Sequence, residues 1–170
     1  MRKIIFLALF GFASVVNAHE QKAHVHGVAE LSLAIEDKGG VIAFEAPSES
    51  IYGFEHAAKT PAEKKARDQA MDKLKNLGKI LAFDATLGCK IQVDKIDAFV
   101  TDDDDDHGHS SHGDVHASFK VNCSKPLKNS EVSFSFSNAF SRLNTLKVQI
   151  IGDDKQSSVE LKKGNGKIKL

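Results

Sequence analysis

Tryptophan is absent from this sequence of 170 residues, tyrosine occurs once, and its 23 basic side chains are matched by 23 acidic ones. A chain without net charge has no basic field to neutralise a phosphate backbone, which argues against nucleic-acid binding. Neither a G-x-S-x-G nucleophile elbow nor a glycine-rich phosphate loop occurs, so two common enzyme classes lose their signature. Only two cysteines are present, Cys89 and Cys123, and the closely spaced thiolate pairs of structural zinc sites are missing. What the sequence has in abundance is histidine, eight in all.

The N-terminus differs from the rest. Arg2 and Lys3 precede an apolar run from Ile4 to Ala13, and Val16-Asn17-Ala18 places apolar or small residues where a signal peptidase cuts. The run is shorter than the roughly 20 residues a bilayer-spanning helix needs, so a retained anchor is the weaker alternative. Residues 1–18 are therefore expected to be a signal peptide and 19–170 the mature domain, without membrane insertion after cleavage. No cysteine stands at the cut to carry a lipid. In an oxidising compartment the default state of Cys89 and Cys123 is a disulfide.

Periodicity predicts an α+β fold: a single domain with a largely antiparallel β-sheet, one long amphipathic helix and a flexible His/Asp-rich loop over 102–116. Val25, Gly27, Ala29, Leu31, Leu33 and Ile35 alternate with polar neighbours, so they read as one half-buried strand, with Gly39-Gly40 as the turn into a partner that Pro47 stops. Thr60-Pro61-Ala62-Glu63 is a capping box opening a helix to about residue 78, which Gly78 would close in the left-handed conformation. Further strands are read at 91–99, 117–123, 132–136, 146–150 and 159–161.

Metal chemistry has two candidate locations. The segment Asp102–His116 carries His107, His109, His112 and His116 behind five successive aspartates, and holds too few apolar residues to fold alone. Neutral imidazole suits zinc, and the aspartates raise the local cation concentration. A solvated linker is the plain alternative. Secondly, His24 and His26, two residues apart on an expected strand, would project to one face about 7 Å apart and could converge on one ion. A third ligand would come from His116 or His56, although His56 could equally bond a backbone carbonyl while Phe54 plugs the core.

Together, His24-Val25-His26-Gly27, Gly53-Phe54-Glu55-His56, the separated cysteines and the His/Asp tract between them make the mature chain resemble the ZrgA family of periplasmic zinc-uptake proteins. The resemblance implies a non-enzymatic periplasmic protein that binds Zn²⁺ and assists its import through a zinc ABC transporter or that transporter's solute-binding protein. It points to His24, His26, His107, His109, His112 and His116 as ligands, with His56 beside them. A copper chaperone is a rival, since Cu(II) binds imidazole more tightly than zinc does, but the mature chain keeps only Met71 as a soft ligand for Cu(I). A zinc hydrolase is a weaker one. His19-Glu20-Gln21-Lys22-Ala23-His24 has one residue too many for H-E-x-x-H.

Overall fold

The computed structural model describes residues 25–100, 113–152 and 155–170. Among these residues nine strands form two sheets that, with two α-helices, surround one core. Strands β1 (Val28–Glu36), β2 (Gly39–Pro47), β4 (Lys90–Val100), β5 (Gly113–Asn122), β7 (Thr145–Ile151) and β8 (Gln156–Lys162) make a six-stranded sheet in the order β4-β5-β2-β1-β7-β8. Strands β3 (Leu81–Phe83), β6 (Glu131–Ser135) and β9 (Asn165–Lys169) make a smaller sheet in the order β3-β6-β9. The α+β reading with largely antiparallel pairing holds at this level. One pair departs from it, since β1 and β7 run parallel.

Period two decides which side chains enter the core. Ala29, Leu31 and Leu33 from β1, Ile42 and Phe44 from β2, Val115, Ala117, Phe119 and Val121 from β5, and Leu146 and Val148 from β7 are all buried on one face. The Phe44 ring stacks on Phe136, just past β6, with centroids 5.6 Å apart, which joins the two sheets. The other face of the large sheet carries Glu30, Ser32, Ala43, Glu45, His116 and Ser118 and lies open.

Local chemistry moves several expected boundaries. Among the described residues two α-helices are present instead of one: a short α1 (Ser48–Tyr52) follows Pro47 directly, and α2 (Pro61–Lys75) carries the capping box. In α2, Thr60 Oγ1 accepts from the Glu63 amide at 3.2 Å, and Glu63 Oε2 accepts from the Thr60 amide at 2.9 Å. The helix stops three residues short of the expected end because Asn76 Nδ2 donates to the Asp72 carbonyl at 2.8 Å, competing with the backbone ladder. Gly78 lies in the following 3-10 turn, Leu77–Lys79, and does not close the helix in the left-handed conformation.

The first hairpin turns at Asp37-Lys38, with Asp37 at φ 43°, and not at the two glycines. Gly39 and Gly40 belong to β2, where a Cβ on Gly40 would lie 2.6 Å from the Ala34 carbonyl oxygen. Residues 153–154, which connect β7 to β8, lie outside the described residues. Cys89 and Cys123 are joined as a disulfide. Because Lys90 pairs with Asn122, that bond closes the open end of the β4–β5 hairpin, and Val100 pairs with Gly113 at its other end. No helix among the described residues is long and apolar enough to cross a membrane.

Candidate metal centre

The registers gather the chain's histidine-bearing segments at one end of the large sheet. β1 enters there, two residues after His26; β2 leaves there into α1 and the loop carrying Glu55 and His56; β4 ends and β5 begins there. The connection 101–112 departs from the same end. His107, His109 and His112 in that connection, and His24 at the N-terminal side, lie outside the described residues. His116 does not belong to a loop, since β5 begins at Gly113 and His116 is its fourth residue.

His26 also departs from the expected geometry. It occupies a turn before β1, closed by the Val28 amide donating to the Val25 carbonyl at 3.0 Å, and so does not lie on the expected strand face, while His24 lies outside the described residues. The cause is Gly27, whose φ of 78° ends the extended backbone. Its amide donates to Ser50 Oγ at 2.8 Å, and its carbonyl accepts from the Asn144 and Thr145 amides at 2.7 and 2.9 Å. A Cβ at this position would sit 2.4 Å from Asn144 Nδ2 and 3.2 Å from Asn144 Cγ. A side chain in place of this glycine would be strained by the positive φ and would have to push Asn144 aside.

The opposing wall comes from the residues after α1. Gly53 takes φ 99° and its amide donates to the Glu49 carbonyl at 2.9 Å, while Ser48 Oγ donates to the Phe54 carbonyl at 3.0 Å. Arg142 covers Gly53, its Nε 3.1 Å from where a Cβ would lie, and its Nη1 donates to Glu49 Oε1 at 2.9 Å. The chain is thereby turned back so that Glu55 Oε1 stands 2.8 Å from His26 Nε2. The Glu55 side chain is only 17% exposed, whereas that of His26 is 60% exposed. Two motifs distant in sequence thus meet through these two side chains.

His56 has its Nδ1 bonded to the Ala57 carbonyl at 3.0 Å, the backbone-carbonyl alternative raised from the sequence, and its Nε2 3.8 Å from Glu63 Oε1. Phe54 does not plug the core. It is half-buried and lies between Tyr52 and His56, with ring centroids 4.7 and 5.1 Å away. These rings border a cavity of about 460 Å³ between α2 and β4, also lined by Asp68, Met71 and Ile96. Burial pushes the Tyr52 phenol above its ordinary pKa, so it stays neutral and is a poor anionic ligand.

Across the open sheet face, His116 is flanked by Glu45 on β2 and Asp97 on β4. His116 Nδ1 lies 3.8 Å from Glu45 Oε2, while Asp97 pairs with Lys95 at 2.5 Å and Glu30, next in the row, faces Lys147 at 4.0 Å. Among the described residues no three His, Cys, Asp or Glu side chains gather into a group that could hold a metal ion. The structure therefore brings His26 to Glu55 and His116 to Glu45, but does not bring the described histidines to one point.

Glu55, Glu45, Asp97 and Ser50 are site residues that sequence reasoning did not select. Glu55 stands inside the Gly53–His56 motif, where its carboxylate is a weaker sequence signal for zinc than the imidazole beside it. The other three become visible only once the strand register or the α1 turn is fixed.

No curated protein matches the chain. Residues 23–170 match the family model described as ZrgA family zinc uptake protein, a stretch that includes both histidine motifs, both cysteines and the tract. The chain belongs to the ZrgA family of zinc uptake proteins.

Proposed function

We propose that this chain is an exported binding protein, not an enzyme, that captures Zn²⁺ outside the cytoplasm and passes it to a zinc ABC transporter, directly or through the solute-binding component. The observation that carries this reading is the meeting of His26 and Glu55 at the sheet end from which the histidine tract departs. An exposed imidazole with a withdrawn carboxylate at its back is a recurrent unit of zinc sites.

In this reading the tract intercepts zinc first. Its aspartates concentrate cations and its imidazoles bind them in interchangeable arrangements, which favours fast exchange over tight retention. His26 provides the more ordered position, with further imidazoles from His24, the tract or His116 completing a shell. Ligand exchange, with no bond made or broken in a substrate, is the whole chemistry. Family membership supports zinc as the cargo.

Isothermal titration of the mature chain with zinc at neutral pH tests the reading, alongside His26→Ala. Binding that weakens in the variant is expected. Zinc binding to imidazole requires the neutral ring, so release is expected as the pH falls below about 6.5, the ordinary imidazole range. A folded protein that stays empty in micromolar zinc at neutral pH overturns the proposal.

A further inference from the structure

We propose that Glu55 is a positioning residue and not a zinc ligand, and that the nitrogen of His26 that takes the ion is Nδ1. This inference rests on the reading of His26 as a zinc ligand and specifies the atom through which that ligand acts.

The argument begins with the 2.8 Å contact between His26 Nε2 and Glu55 Oε1. Two donors held about 2.0–2.1 Å from one tetrahedral zinc ion stand roughly 3.3–3.4 Å apart. The observed separation is shorter, and is that of a hydrogen bond. An ionised carboxylate only accepts, so the proton of that bond resides on Nε2. A neutral ring protonated on Nε2 carries its lone pair on Nδ1. The two nitrogens face different sides of the ring, so an ion on Nδ1 is out of reach of a carboxylate bonded to Nε2. Glu55 thus selects the tautomer and fixes the ring plane without entering the shell.

Both halves of the contact are held from behind. Gly27 is fastened by hydrogen bonds to Ser50, Asn144 and Thr145, and the backbone before Glu55 is fastened by the left-handed Gly53 and the Ser48 bond to Phe54. The exposures divide the roles in the same way. The Glu55 side chain is withdrawn at 17% while the imidazole is open at 60%, so the ring is the more accessible of the two to an arriving ion. A ligating carboxylate would have to break this bond and turn outward.

The test uses the full mature chain. Long-range ¹H–¹⁵N correlation of the His26 ring should show Nε2 protonated without metal and Nδ1 shifted on zinc addition. Glu55→Ala should weaken zinc binding by about 10–100-fold at unchanged stoichiometry and unchanged thermal midpoint. Glu55→Gln, whose amide oxygen still accepts from Nε2, should recover most of that loss and leave the d–d bands of the cobalt-substituted protein in place. Zinc on Nε2 would break the bond to Glu55 and overturn the assignment of Nδ1, and cobalt bands displaced by Glu55→Gln would make Glu55 a ligand; either result overturns this inference while leaving the zinc reading intact. If His26→Ala leaves zinc affinity unchanged, His26 is not a ligand and the inference falls with that part of the reading.

Discussion

The backbone amide of Gly27 donates to the hydroxyl of Ser50 at 2.8 Å, across 23 positions of sequence, and Ser50 is fully buried. This bond fastens the turn that presents His26 to the short helix that leads to Glu55. Ser50→Ala removes the acceptor and leaves a buried N–H without a partner, which costs about 1–3 kcal/mol. Urea denaturation should show that loss, and zinc titration of the folded variant should show weaker binding although no candidate ligand has changed. A variant with wild-type stability and affinity would mean that the turn holds itself.

The disulfide makes a contrasting prediction because it lies at the far end of the same hairpin. It joins residues 34 apart, beside the Lys90–Asn122 pair, whereas the tract departs beyond the Val100–Gly113 pair. Replacing both cysteines by serine should destabilise the protein by about 4 kcal/mol in the chain-entropy estimate. Zinc stoichiometry of the fraction that remains folded should not change. Loss of zinc binding at full folding would show that the staple sets the geometry of the distant end, contrary to the arrangement of the strands.

Much of this architecture was legible because alternation is local. Ala29, Leu31 and Leu33 announce β1, and Ala117, Phe119 and Val121 announce β5, without knowledge of any partner, although β5 begins four residues earlier than expected, at Gly113, inside the expected loop. The same signal misplaced His26, since Val25 and Gly27 continue the alternation in letters while the positive φ of Gly27 breaks it in space. A glycine within an alternating run was the available warning. The parallel pairing of β1 with β7 could not be read, because it joins segments more than a hundred residues apart and no hairpin signal announces it. Glu45 and Asp97 were invisible beside His116 for a related reason: their neighbourhood is a product of register. Five-residue α1 is too short for a helical period to stand out.

The capping box of α2 gives a stability prediction with a pH sign. Thr60→Ala should cost about 1 kcal/mol by removing the side chain that accepts from the Glu63 amide. Backbone amides of Thr60 and Lys59 donate to Glu63 and hold its carboxyl below the ordinary glutamate range. The folded value lies under the unfolded one, so this contribution is complete above the unfolded value and fades as the pH falls through the folded one. The stability difference between wild type and Glu63→Gln should therefore shrink in acid. Urea midpoints measured from neutral pH downward check this, and a gap that is constant with pH would contradict it.

The tract offers the cleanest separation of capture from ordered binding. Val100 and Gly113 are paired, so residues 101–112 bridge two adjacent strand ends. Replacing those twelve residues by Asn-Gly asks only for a two-residue hairpin turn, which antiparallel strands accept readily, and the shorter loop costs less closure entropy. The variant should fold with stability equal to or above that of the full chain. It should bind fewer zinc ions and bind them more slowly in stopped-flow mixing, and what it still binds should respond to His26→Ala. Stoichiometry and rate that match the full chain would remove the tract from the capture step and leave the sheet end to do that work alone.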